Sequence, residues 1–183
     1  MDNYNTKTRN GWWLALLLLL TTMSVGSFAQ TNYGAFQDNN FLNPNNWTNG
    51  LPGPGNDGTI VGGVSANIGS PITIDYTLTS YGTITASANV TISATGRLNN
   101  YSGSSFSLSG SANLTNAGTM DQRGALNIGA GAAFHNTGNY SSTGSANITN
   151  AGTLTLEGSF ANLGTITNNG TCNIEGGNIG NNT

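Results

Sequence analysis

Two nearly identical decapeptides, 34 positions apart, constrain the fold of this chain more than any other feature. The first is Ser111-Ala-Asn-Leu-Thr-Asn-Ala-Gly-Thr-Met120, and the second is Ser145-Ala-Asn-Ile-Thr-Asn-Ala-Gly-Thr-Leu154. In each copy apolar residues alternate with Ser, Thr or Asn, which is the period of a β-strand, and an Asn-Ala-Gly step interrupts the alternation. Repeats of a strand and a turn are typical of solenoids, in which each repeat packs only on its neighbours.

The same pattern continues from Gly58 to the end in units of about six to seven residues. Their apolar residues lie two apart, as in Val90/Ile92, Phe106/Leu108, Leu126/Ile128, Leu154/Leu156 and Cys172/Ile174. No sustained helical period follows residue 30, so we expect no helix beyond single turns. Asn-Ala-Gly steps end some units, at 116–118 and 150–152. Because Asn and Gly accept left-handed backbone angles, we expect such angles at these corners.

Unit length distinguishes a meander of antiparallel hairpins from a parallel solenoid. Three units form blocks of nearly constant size: 20 residues in 81–100, 124–143 and 144–163, 23 in 58–80 and 101–123, and 19 in 164–182. This constancy favours a three-sided coil. We therefore predict an all-β protein, a right-handed parallel β-helix with about 20 residues per coil. The 34-residue offset spans five units, so the two decapeptides should lie on different sides of the coil.

The N-terminal part predicts secretion. Lys7 and Arg9 precede an apolar run over 12–20, and Ser27-Phe-Ala29 supplies the small residues of a cleavage site, so we interpret 1–29 as a signal peptide. The alternative, an anchor that stays in the membrane, would require about 20 apolar residues. We expect a secreted, extracellular protein, whether or not it is attached to a cell surface.

Residues 30–57 are rich in proline and turn-forming residues, and residues 58–183 form the coils. A solenoid exposes a strand edge and an apolar end at its first coil, so we interpret 30–57 as an irregular N-terminal cap. The alternative is a sugar-stacking platform formed by the aromatic side chains of this segment: Tyr33, Phe36, Phe41 and Trp47.

Charged residues make up only 6% of the chain. After residue 29 there are six acidic side chains and two basic ones, Arg97 and Arg123. Nucleic acids and anionic membranes bind clustered Lys and Arg, so we expect neither as a partner. We also expect no membrane span after signal removal. Cys172 is the only cysteine and alternates with Ile174, which favours a buried residue over an intermolecular disulfide.

No pattern indicates catalysis, and we predict no catalytic, cofactor-binding or metal-ligating residue. His135 is the only histidine, lies in no nucleophile motif and is expected at an exposed corner. Asp121 and Arg123 could share a strand face, as a polysaccharide-active enzyme would require. The other carboxylates that such an enzyme could use are scattered along the chain, at Asp75, Glu157 and Glu175. This enzyme is the third of our functional alternatives.

Threonine and asparagine patterns carry two further hypotheses. Outward Thr-x-Thr pairs could order water, as in ice-binding solenoids; they occur at Thr77/Thr79, Thr83/Thr85, Thr153/Thr155 and Thr165/Thr167. Asn-x-Thr triplets begin at Asn46, Asn89, Asn113 and Asn147. We interpret the recurrence of asparagine as hydrogen-bonded ladders at equivalent corners rather than as glycosylation.

The segment 43–57, followed by Gly58-Thr-Ile-Val and by 72–79, resembles the opening of bacterial secreted right-handed β-helix proteins. These include adhesins related to autotransporter passengers and filamentous haemagglutinins. The resemblance implies an extracellular protein used in adhesion or as a stalk, with no catalytic set. We therefore expect a structural or adhesive surface protein whose Thr, Ser and Asn faces make weak multivalent contacts with glycans or cell-surface proteins. Self-association end to end would be a further contact.

Overall fold

The computed structural model describes residues 29–35 and 37–181. Within these ranges the chain forms twenty β-strands and one single-turn 3₁₀-helix, Pro44–Asn46. This agrees with the expectation of no helix beyond single turns. The signal peptide predicted for 1–29 lies outside the described residues, apart from Ala29.

The strands assemble into three parallel sheets, and the chain visits the sheets in rotation. The first sheet has eight strands: β1 (Ala29–Tyr33), β2 (Asn56–Ile60), β5 (Thr77–Ser80), β8 (Arg97–Asn100), β11 (Thr119–Gln122), β14 (Asn139–Ser142), β17 (Ser159–Asn162) and β20 (Ile179–Asn181). The second has six: β3 (Ser65–Ile68), β6 (Thr83–Ala86), β9 (Ser105–Leu108), β12 (Ala125–Ile128), β15 (Asn147–Asn150) and β18 (Thr165–Asn168). The third has six: β4 (Ile72–Ile74), β7 (Val90–Ile92), β10 (Asn113–Asn116), β13 (Ala133–Asn136), β16 (Thr153–Leu156) and β19 (Thr171–Ile174).

The pairing confirms a parallel β-solenoid with three-sided coils, and the antiparallel meander is wrong. Thr77 pairs with Arg97, 20 positions later, and Arg97 pairs with Thr119, 22 positions later. Coil length therefore stays near 20 residues because each strand must stack on the strand of the preceding coil. Parallel connections of this kind are right-handed in nearly all proteins.

The two decapeptides lie on different sides of the coil, as predicted. Residues 113–116 of the first copy form β10 in the third sheet, whereas residues 147–150 of the second form β15 in the second sheet. Similar sequences thus occupy different sheets, because every side requires the same alternation. The repeating unit is one strand with its corner.

The interior is filled by the apolar member of each alternating pair. In the first sheet Leu78, Leu98, Met120 and Tyr140 follow one another in register, and all are at most 1% exposed. The ring of Tyr140 stacks on Phe160 of the next coil with centroids 4.5 Å apart. Burying each such side chain contributes about 1.5–3 kcal/mol, so the stacked column stabilises the rod along its whole length.

The N-terminal cap predicted for 30–57 is built on an aromatic cluster. Trp47 packs edge-on against Tyr33 and Phe41 with ring centroids 5.0 and 5.1 Å away, and its indole N–H donates to the Phe41 carbonyl at 2.8 Å. All three side chains are at most 4% exposed. The sugar-stacking platform is therefore wrong for these residues, because their rings cover the end of the solenoid. Phe36 lies outside the described residues.

A buried amide holds the loop of the cap in place. Asn46 is fully buried, and its side-chain oxygen accepts the Gln37 N–H at 3.0 Å. Its amide nitrogen donates to the carbonyls of Asp38 and Asn40 at 2.9 and 3.0 Å. One side chain thus replaces the backbone pairing that an irregular loop lacks.

The Asn-Ala-Gly corners exist, but the predicted left-handed angles are wrong there. Neither Gly118 nor Gly152 has a positive φ, and among the described non-glycine residues only Ala35 has one. Glycine is required instead by close approach, because a Cβ on Gly118 would overlap carbonyl oxygens of Ser93 and Gly96. The corner packs directly on the backbone of the preceding coil.

The prediction that Cys172 is buried is wrong. Cys172 pairs in register with buried Leu154 and so occupies the inward position that its alternation predicts, but β19 is the edge strand of the third sheet and the thiol is exposed. Ile174 on the same strand is 64% exposed. Burial in a solenoid depends on the next coil as well as on alternation, and no described coil covers this end.

Candidate functional site

Two surfaces of the solenoid could make contacts: an uncharged face on the second sheet and a cleft at the corner after the first sheet. Along the second sheet the outward side chains form two rows in register. The first row is Ser65, Thr83, Ser105, Ala125, Asn147 and Thr165, and the second is Asn67, Thr85, Ser107, Asn127, Thr149 and Thr167. We call this surface the neutral face.

The neutral face spans six strands, or about 24 Å at the usual strand spacing. All of its side chains are exposed or partly exposed, and none carries a charge. Some hydrogen-bond along their row, as Asn127 does to the Ser107 hydroxyl at 3.2 Å. Such a surface offers many hydroxyl and amide groups at regular intervals, without the desolvation cost of fixed charges.

The Thr-x-Thr pairs do not assemble into one flat array. Thr77/Thr79 lies on β5 of the first sheet and Thr153/Thr155 on β16 of the third. The pairs on β6 and β18 share the second sheet, but three strands separate them. Thr149 is in register with Thr167, but serine, alanine and asparagine fill the other positions between the two pairs, so Thr-x-Thr pairs do not stack on successive coils of this sheet.

The corner after the first sheet carries a ladder of exposed or partly exposed side chains, most of them large. The first residue beyond each strand end is Val61, Tyr81, Tyr101, Arg123, Thr143 and Leu163 in successive coils. Tyr81 and Tyr101 stack with ring centroids 4.6 Å apart, and the Arg123 guanidinium lies 4.8 Å from the Tyr101 ring centre. These contacts orient three side chains that would otherwise be flexible.

Beside this ladder lies a polar cleft of about 100 Å³, which we call the arginine cleft. It is lined by Arg97, Asn99, Asn100, Tyr101, Asp121 and Arg123. Arg97 and Asn99 belong to β8 and Asp121 to β11, so two neighbouring strands provide its floor. The two basic residues that follow residue 29 thus meet at one place on a solenoid with few charges.

Hydrogen bonds fix the floor of the cleft. The Arg97 side chain forms an ion pair with Asp121, and its Nε donates to the Asn99 side-chain oxygen at 2.9 Å. Asp121 also accepts the Ser141 hydroxyl at 2.5 Å. Burial raises the pKa of Asp121, but the hydrogen bonds from Ser141 and Arg97 and the charges of Arg97 and Arg123 outweigh it. The pKa therefore lies below its ordinary value, and the carboxylate is ionised at neutral pH.

Arg123 differs from Arg97 in its partners. Within the described ranges, Arg123 has no ion pair with a carboxylate and no side-chain hydrogen bond to the protein, and it is exposed. Its N–H donors, held over the Tyr101 ring, are available to a ligand at the rim of the cleft. Asp121 and Arg123 line the same cleft, which agrees with the expectation that they share a face.

The prediction that His135 lies at a corner is wrong. It lies on β13, and its Nε2 is 2.9 Å from a carboxylate oxygen of Glu157. Both side chains are partly exposed. The neighbouring outward residues in register, Thr115 and Thr155, are polar but bear no acid or base. The pair is a surface contact between adjacent coils.

Asparagine side chains hydrogen-bond between neighbouring coils in pairs and not in continuous ladders, and they are other asparagines than those of the Asn-x-Thr triplets. Buried Asn116 donates to the Asn136 side-chain oxygen at 2.7 Å, and buried Asn150 donates to exposed Asn168 at 2.7 Å. Their amides also reach backbone carbonyls at the corners, such as that of Asn139 at 2.9 Å. These side chains satisfy the backbone where each strand turns.

Sequence reasoning does not identify Tyr81 and Tyr101 as candidate functional residues, although their spacing carries a signal. They are 20 positions apart, one coil length, and each begins a unit. Equal spacing on a known coil predicts stacking, whereas neither tyrosine belongs to a motif that implies chemistry by itself.

The described residues contain no cluster of three or more His, Cys, Asp or Glu side chains that could hold a metal ion. Within the same ranges no helix is long and apolar enough to cross a membrane. Comparison of the chain with protein-family models, with curated proteins and with solved structures found no match.

Proposed function

We propose that this protein is a secreted structural or adhesive protein of a bacterial cell surface, comparable in role to the β-helix adhesins that its sequence resembles. Its solenoid is a rigid rod, and its polar faces make weak contacts with glycans or neighbouring proteins that become strong only when many act together. The mechanism is passive and involves no chemical step.

The neutral face is the observation that carries this proposal. Its two rows of hydroxyl and amide groups match the chemistry of polysaccharides, which also present uncharged hydrogen-bonding groups at regular intervals. Each contact with such groups contributes about 0.5–1.5 kcal/mol, so a single rod binds weakly and an array of rods binds strongly.

Adhesion can be measured by displaying the purified protein on beads and recording their retention on polysaccharide films and on bacterial cells. We expect Ser107→Asp with Thr149→Asp, which places charges on the neutral face, to lower retention about fivefold or more through lost multivalency. Thr91→Asp with Thr155→Asp, on the third sheet, is the matched control and should retain binding. The proposal would be refuted if the beads were retained on none of the films and cells. It would also be refuted if the protein degraded the films.

A second contact, self-association, is favoured by the C-terminal end of the solenoid. Among the described residues, the last strands of the three sheets, β18, β19 and β20, have no strand paired along one edge. Ile166, Ile174 and Ile179 are 39%, 64% and 37% exposed beside them. Because the aromatic cap covers the opposite end, a second copy would bind tail to tail rather than head to tail.

Sedimentation over a range of concentrations tests this contact. Ile174→Asp should shift the equilibrium to monomer, whereas Leu51→Asp, which changes an exposed leucine of the cap, should leave it unchanged. A protein that remains monomeric at the highest concentration would rule out tail-to-tail association.

A further inference from the structure

The arginine cleft combines features that the neutral face lacks: fixed charges, a fixed hydrogen-bonding floor and stacked aromatic rings. It is lined by polar and charged groups together with one tyrosine. A predominantly apolar ligand would therefore leave its polar groups without partners, which disfavours such a ligand. A small, strongly polar ligand fits it best.

The charges of the cleft limit the kinds of ligand that it can bind. Arg97 and Asp121 neutralise each other, so the Arg123 guanidinium contributes the net charge of the cleft. A guanidinium matches a carboxylate through two parallel hydrogen bonds, and stacking on Tyr101 restricts Arg123 before the ligand arrives. The cleft thus favours an anionic group at its rim.

The hydrogen-bonding groups on the floor of the cleft limit the kinds of ligand further. The Asp121 carboxylate accepts hydrogen bonds, and the Asn99 amide can donate one, since its nitrogen makes only a long contact of 3.4 Å to the Thr79 hydroxyl. Adjacent hydroxyl groups of a sugar ring can donate to a carboxylate and accept from an amide at the same time. A small inorganic anion could pair with Arg123, but it has no adjacent ring hydroxyls that donate to Asp121 and accept from Asn99.

We propose that the arginine cleft binds one carboxylate-bearing sugar unit, such as a uronic acid, of an extracellular polysaccharide. The sugar carboxylate binds Arg123 at the rim, and the sugar hydroxyls contact Asp121 and Asn99 on the floor. This inference rests on the proposed function, because it names the class of glycan and the place on the rod where one sugar unit is recognised.

The probe is a short oligomer of galacturonic acid, with the oligomer of neutral galactose as its counterpart. Titration of the full-length mature protein, followed by NMR chemical shifts, should show saturable changes around Arg97, Tyr101 and Arg123 for the acidic oligomer alone. Arg123→Gln, which removes the charge and keeps a polar side chain, should weaken binding about five- to tenfold. Arg123→Lys should restore part of the loss, because it restores the charge without the planar fork.

Asn169→Asp is the matched control, since it lowers the net charge by the same amount at an exposed corner far along the sequence. Its affinity should stay within about twofold of the unchanged protein, because a distant surface charge is screened by salt. Equal binding of both oligomers, or an unchanged affinity of Arg123→Gln, would overturn the proposal. Bead adhesion together with an affinity for the acidic oligomer that is unchanged in Arg123→Gln would refute this site and leave the proposed function standing. If the beads adhere to no surface but the protein binds the acidic oligomer specifically, the proposed function is refuted and the site is retained.

Discussion

The two ends of the described solenoid differ in whether their inward apolar side chains are covered. At the N-terminal end Tyr33, Phe41 and Trp47 cover the first coil and are at most 4% exposed. At the other end of the described coils Ile174 occupies an inward position, yet it is 64% exposed. An inward position therefore becomes core only where another layer lies on it, and the cap is an element of stability in its own right.

The largest expected effect comes from opening the capped end. Trp47→Ala should lower the free energy of unfolding by about 3–5 kcal/mol, because it removes the central ring of a buried cluster and the hydrogen bond to Phe41. Urea denaturation followed by circular dichroism measures the change. A loss below about 1 kcal/mol would show that the first coils are stable without their cover.

A matched pair of substitutions in one column tests the same difference. Leu154 and Cys172 face each other in register on β16 and β19. We expect Leu154→Ala to cost about 3 kcal/mol through the cavity that it leaves. Cys172→Ala, at the open end, should change the stability of the dilute monomer by no more than about 0.5 kcal/mol. Similar losses at both positions would mean that the last coil is covered in solution, as tail-to-tail association requires.

The capped end should also respond to acid. The hydrogen bond from the Asn40 N–H, followed by those from Asn46 and Asn43, lowers the pKa of Asp38. A lowered folded-state pKa stabilises the protein at pH values above the unfolded pKa, and this contribution is lost as the pH falls through the folded value. Unfolding midpoints in urea at pH 7 and at pH 3 should therefore differ less in Asp38→Asn than in the unchanged protein. An equal acid dependence would show that the carboxylate does not hold the cap loop.

The smallest effect concerns access and not stability. At a protein concentration too low for tail-to-tail association, Cys172 should react with a thiol reagent at nearly the rate of a free thiol, because β19 has no described neighbour on one side. Amide exchange should likewise be faster in β18 and β19 than in β12 and β13. Slow labelling that is accelerated by Ile174→Asp would indicate a covered end.

The coil, its length and its cap follow from the sequence because alternation and unit length are local properties of the chain. The structural role of Asn116 and Gly118 does not follow from the sequence. The conformation of their corner depends on carbonyl oxygens of the preceding coil, at Ser93 and Gly96. The burial of Cys172 fails for a similar reason, since alternation gives direction but not cover. The arginine cleft depends on the register that places Arg97 beside Thr119, and thus Asp121 beside Asn99.

The pair of decapeptides on two different sheets has a consequence for how such a rod changes in length. Adding or removing three sides leaves every later strand in its own sheet, whereas a change of one side moves each later strand to the next sheet. A row of outward side chains that begins on one sheet would then continue on a neighbouring sheet. A site confined to two neighbouring coils, such as the arginine cleft, survives that shift intact, but a surface that must stay in phase along the whole rod does not.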